Sequence, residues 1–208
     1  MKQQRGPLMR RALALLFVSL AACGSGTPAP LFGGFTPSSG AAVILAPAIC
    51  NNIAFLGPTA ISGILVDLTA GPDACTVLTQ AKQCGTGSGS TTILAGAFSG
   101  LVGGTTVAPA GPGTYPWLPN PPSGAFNAST TTAAQVNATC TADAGSPTQM
   151  SGGSIVISTV TASNVTGSLD VHFDNGQAYT HAFDVAVCPV SIDICSVFSF
   201  CLSRTCVQ

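Results

Sequence analysis

Apolar and polar residues alternate with period two over three neighbouring stretches in the second half of the chain, 151–160, 165–174 and 179–188. In the second, Val165, Leu169, Val171 and Phe173 alternate with Thr166, Ser168, Asp170 and His172. In the third, Tyr179, Phe183, Val185 and Val187 alternate with Thr180, Ala182, Asp184 and Ala186. Successive side chains of a strand point to opposite faces, so each stretch reads as a strand with one apolar face. Short turn signals separate them, Asn175-Gly176 being the sharpest. Together they predict a three-stranded antiparallel meander that covers something on one side only.

The turn at Asn175-Gly176 fixes which side chains meet. A two-residue turn would pair Asp174 with Gln177 and gather His172, His181 and Asp170 on one face. A three-residue loop with Gly176 left-handed pairs Phe173 with Gln177, Val171 with Tyr179, Gly167 with Phe183 and Val165 with Val185. One residue of slip moves every side chain across the sheet. Only the longer loop keeps the apolar set together, and burying each large apolar side chain is worth roughly 1.5–3 kcal/mol. The three-residue loop is therefore expected, with His181 inside opposite Leu169 and His172 outside opposite Ala178.

Upstream the signals are shorter. Val43, Ile44 and Leu45, then Ile49, then residues 53–56, predict an early strand pair broken at Pro47. Residues 63–69 alternate, with Ile64, Val66 and Leu68 on one face and Leu65, Asp67 and Thr69 on the other. Asp73 caps a predicted helix that starts at Ala74, carries Lys82 in its last turn and stops at Gly85. Residues 85–90 form a Gly/Ser loop, and 92–98 a strand buried on both faces. Five prolines within 111–123 exclude a central strand and predict a surface loop or an edge. One or two Thr/Ala-rich strands follow over 125–140. The sum is an all-β chain, an antiparallel β-sandwich or partly closed barrel with one short helix.

Composition changes this picture in two ways. Charge is only 6% of the chain, and Lys2, Arg5, Arg10 and Arg11 hold four of its six basic residues. From Cys23 onward Lys82 and Arg204 face seven aspartates, a balance of 2 − 7 = −5. So few cations cannot neutralise a phosphate backbone, so no nucleic-acid partner is expected. Secondly, the chain has nine cysteines. No Cys-x2-Cys pair or zinc-type His spacing accompanies them, so a metal site is not expected.

The amino terminus explains the odd cysteine. Arg10-Arg11 precede eleven apolar or small residues, 12–22, which end in Leu20-Ala21-Ala22 before Cys23. A basic start, a short apolar core and small residues before the cut read as a signal peptide, beginning at either Met1 or Met9. Leu20-Ala21-Ala22-Cys23 resembles the lipobox of bacterial lipoproteins. That resemblance covers only the first 23 or so residues. It implies cleavage before Cys23, acylation of Cys23, and, since Gly24 and Ser25 include no aspartate, delivery to the outer membrane. The expected organisation is a signal peptide over 1–22, a lipidated Gly/Pro-rich tether over 23–40, and one β domain over 41–208. Phe32 and Phe35 are unusual in a tether and are expected to dock on the domain.

Removing Cys23 leaves Cys50, Cys75, Cys84, Cys140, Cys188, Cys195, Cys201 and Cys206, an even set that in an exported chain predicts four disulfides. Cys75 and Cys84, on one helix, lie too far apart to bond each other. At least two of the four cysteines in the tail, 188–208, are expected to pair within it, folding it over an open end or edge of the sheet.

Catalytic chemistry finds little material. No glutamate is present, no Gly-x-Ser-x-Gly occurs, and every aspartate has a structural reading, as where Asp73 caps, Asp174 turns, and Asp170 and Asp184 face solvent. The chain is expected not to be an enzyme and to need no cofactor. It reads as a structural or surface lipoprotein of the envelope, membrane-bound through its lipid. The alternative is a module that binds a glycan or an envelope protein through the loop holding Tyr115, Trp117 and Asn120.

Overall fold

The computed structural model describes residues 35–51, 57–71, 73–76, 78, 90–120, 123–136 and 148–197. Eight strands run in the order β1 (Ser39–Cys50), β2 (Thr59–Thr69), β3 (Ser90–Val102), β4 (Gly113–Pro116), β5 (Ala125–Val136), β6 (Thr148–Val160), β7 (Asn164–Phe173) and β8 (Ala178–Val187). A short helix, α1 (Ile194–Val197), ends the described chain. Hydrogen bonding joins the strands β1–β2–β3–β5–β6–β7–β8 and returns to β1. The sheet is therefore a closed seven-stranded barrel, with β4 as an extra strand on β6. Every pairing is antiparallel except the closing one between β1 and β8, which is parallel.

Two apolar clusters hold it. Inside, Ile64, Val66, Leu68, Ile93, Ala95, Ile155, Ile157, Leu169, Val171, Phe173, Tyr179 and Phe183 pack across the lumen. Ser62 Oγ donates to the Ala108 carbonyl at 2.7 Å, tying the loop after β3 to β2, and Ala110 of that loop joins the inner cluster. Outside, Val43, Leu45, Ile61, Leu65 and Phe98 of β1–β3 pack with Ala74, Leu78, Cys188 and Ile194. β2 is thus buried on both faces along its whole length.

The meander lies at β6, β7 and β8 with the expected register. Val165 pairs with Val185, Gly167 with Phe183, Leu169 with His181, Val171 with Tyr179 and His172 with Ala178. Phe173 N–H donates to the Gln177 carbonyl at 2.8 Å, closing a loop of Asp174, Asn175 and Gly176. Gly176 has φ +83°, a backbone region that a side chain disfavours. Asp73 caps its helical turn: the Cys75 N–H donates to Asp73 Oδ1 and the Thr76 hydroxyl to Asp73 Oδ2, each at 3.0 Å. Leu78 is helical as well, and the predicted helix beyond it lies outside the described residues.

One expectation is corrected. Pro47 does not break the first strand: β1 is continuous, with Ala46 and Pro47 together opposite Ser62 in a bulge between the Leu45–Gly63 and Ala48–Ile61 pairs. A bulge leaves an unpaired position in the ladder, which suits a residue without an N–H. The described part of the tail, 188–197, lies on the outward face of the sheet, where Cys188 and Ile194 complete the outer apolar cluster; the remainder of the tail is outside the described residues.

Candidate functional site

The hairpin of β7 and β8 was the place where a cluster of titratable groups could form. Because side chains alternate, the observed register puts His172 on the outward face and His181 on the lumen side. His181 stacks on Tyr179, with ring centroids 5.7 Å apart and planes at 22°. Burial pushes the Tyr179 phenol up to about 12, so it stays protonated at physiological pH. Asp170, also outward, accepts from the Thr180 hydroxyl at 3.3 Å. The two histidines thus sit on opposite sides of one sheet. Among the described residues no group of three His, Cys, Asp or Glu is placed to hold a metal ion.

The proline-rich loop is built differently from a stacking platform. β4 pairs Tyr115 with Ile155, which turns the ring into the lumen cluster at 2% exposure. Its hydroxyl donates to the Gly111 carbonyl at 2.8 Å and accepts from the Gly111 N–H at 3.1 Å. Trp117 is half-buried against the same cluster and bridges to Ser129 of β5. Asn120 is exposed. Tyr115 is therefore unavailable to a ligand, since closing the gap between β5 and β6 consumes its apolar surface.

Four of the eight cysteines are bonded in the described structure. Cys50 joins Cys195 with Cα atoms 5.3 Å apart, and Cys75 joins Cys188 at 5.6 Å. The two described tail cysteines thus pair into the domain. Cys23, Cys84, Cys140, Cys201 and Cys206 lie outside the described residues, as does Phe32. Phe35 docks against the lumen cluster, its ring 5.6 Å from that of Tyr179.

The most unusual group is one that reads as ordinary in the sequence, an aspartate on one face of a strand. Asp67 is 1% exposed on the outward side of β2. Its Oδ1 accepts from the Thr92 hydroxyl of β3, while its Oδ2 has no hydrogen-bond partner. Desolvation raises its pKa from 3.8 to about 7, against the lowering effect of Thr92. Thr132 sits on the same outward side, beyond the intervening Leu94, with its own hydroxyl unpartnered. The signal for Asp67 was available: it lies in a run, Ile64-Leu65-Val66-Asp67-Leu68, that is apolar on both faces. Comparison of the chain with protein-family models, curated proteins and solved structures returned no match.

Proposed function

We propose that this chain is an exported lipoprotein of the bacterial outer membrane, anchored by an acylated Cys23, whose barrel acts as a structural or surface module without catalytic chemistry of its own. The observation that carries this reading is the sequence Leu20-Ala21-Ala22-Cys23 behind Arg10-Arg11 and a short apolar run. The two formed disulfides support it, since such bonds persist in oxidising compartments outside the cytosol. The outward face of β7 and β8 supports it as well, because Asp170, His172, Thr180 and Asp184 suit water rather than lipid. No helix among the described residues is long and apolar enough to cross a membrane.

The test is metabolic labelling with palmitate in cells producing the wild type or Cys23→Ser. Label is expected in the wild-type protein and absent from the variant, which should also accumulate with its leader uncut. Equal labelling of the two would remove the anchor from this reading.

A further inference from the structure

The junction between β1 and β8 is one of the two thinnest in the barrel. β2 and β3 share eleven ladder pairs, from Thr59–Val102 to Thr69–Thr92, whereas β1 and β8 share two, Ala41–Ala186 and Ala42–Val187. One further bond, from the Cys188 N–H to the Ala42 carbonyl at 2.8 Å, extends it. The pairing is also parallel, which is slightly weaker per residue. Residue 40, next to this junction, is a glycine in close quarters: a Cβ there would lie 2.6 Å from Val185 Cγ1 and 3.0 Å from Leu68 Cδ2, so a side chain would force its neighbours to shift.

The β5–β6 junction also has two ladder pairs, Thr132–Gln149 and Ala133–Thr148, but it is reinforced without covalent bonds. β4 lies across it, pairing with β6 from Gly113 to Pro116 and reaching Ser129 of β5 through Trp117. Among the described residues no strand lies across the β1–β8 junction.

Besides the apolar packing of Cys188 and Ile194 on β1–β3, two disulfides connect the two sides of this junction. Cys50 is the last residue of β1, and its partner Cys195 lies in α1, on the segment that leaves β8. Cys188 directly follows β8, and its partner Cys75 lies in the helical turn that follows β2. Each bridge therefore ties the β1–β2 side of the junction to the β8 side. We infer that the β1–β8 junction is the seam at which this barrel opens, and that Cys50–Cys195 and Cys75–Cys188 are the clamps that keep it closed. Reduction of both clamps then turns the closed barrel into an open sheet with β1 and β8 as edge strands, each offering unpaired N–H and C=O groups to another strand. The chemistry is ordinary exchange with a dithiol. One thiolate attacks a bridge sulfur and expels the partner cysteine as thiolate; the second then attacks the mixed disulfide and expels the other cysteine thiolate. Each bridge thus takes up two electrons and two protons to give two cysteine thiols, and the dithiol leaves as a cyclic disulfide.

The test is hydrogen exchange on the full chain in detergent, read by mass spectrometry. The wild type is compared with a variant lacking both clamps (Cys50→Ala, Cys75→Ala, Cys188→Ala, Cys195→Ala) and with the two variants lacking one clamp each. Peptides covering residues 41–43 and 186–188 are expected to exchange at least about tenfold faster without the clamps. Peptides of β2–β3 and of the β5–β6 junction should change by less than about threefold. Equal acceleration everywhere, or none at the seam, would overturn the inference. Should the variant lacking both clamps fail to fold, the single-clamp variants must show the same order of exchange. If none of the three folds, the bridges hold the whole fold rather than one seam, and the inference fails. This outcome is independent of whether Cys23 carries lipid.

Discussion

Asp67 sits fully buried on the outward side of β2, with one oxygen bonded to Thr92 and the other unpartnered. The strands on either side of it, β1 and β3, carry no lysine, arginine or histidine that would favour its charge. In the unfolded chain this carboxyl ionises near 3.8, whereas in the folded protein it holds its proton until about 7. Between those values unfolding releases a proton, so stability falls as the pH rises through that window and levels off above it. Asp67→Asn removes the titration. Denaturant midpoints are expected to fall as the pH rises from about 4 to about 7 for the wild type and to stay level for the variant, at a scale of about 1.4 kcal/mol per pH unit. A variant that keeps the wild-type slope would assign that slope to another group. This residue was legible only in part. Alternation told which face of β2 it occupies, but its isolation depends on the outer cluster, which Ala74, Leu78, Cys188 and Ile194 bring from distant parts of the chain.

At the scale of strands and turns, local pattern determined what local pattern can. The β7–β8 register followed from a single requirement, that Leu169, Val171, Phe183 and Val185 share one face, and the observed pairs obey it. The closing pair of β1 with β8 joins the two ends of the domain, and no periodicity within either strand marks so distant a partner. The same holds for the bridges, whose partners lie 145 and 113 residues apart. Those two bridges narrow the rest. Ser90 and Val136 are ladder partners, so the chain enters β3 and leaves β5 side by side. Cys84 comes shortly before Ser90 in the sequence and Cys140 shortly after Val136. The expected remaining pairs are Cys84 with Cys140 and Cys201 with Cys206. Peptide mapping without reduction checks the connectivity, and alkylation of the folded protein should label no cysteine beyond residue 23. Labelling of two or more would end the four-bridge account. Losing a native bridge typically costs about 2–5 kcal/mol, so the reduced protein should be markedly less stable.

At the scale of the whole molecule, strand alternation is ambiguous in one respect. A barrel in a membrane and a barrel in water both alternate apolar with polar; they differ in which set faces out. Here the apolar set fills the lumen, and Asp170, His172, Thr180 and Asp184 face outward on β7 and β8. The outward apolar residues of β1 to β3 are covered by the helical turn and the tail, so they do not form a lipid-facing band. Every described formal charge on the strands and their turns is an aspartate, which adds cost to entering hydrocarbon. On the proposed reading the hold on the membrane comes from outside the barrel, through the lipobox-like Cys23. Fractionation separates the two cases. Wild-type protein should sediment with membranes, resist alkaline carbonate and high salt, and be released by detergent. Cys23→Ser that escapes its leader, for instance behind a cleavable secretory signal without a lipobox, should appear in the soluble periplasmic fraction with its bridges formed. If that soluble-signal version still resists carbonate extraction, the barrel itself holds the membrane, and the assignment of its outward face to water is wrong.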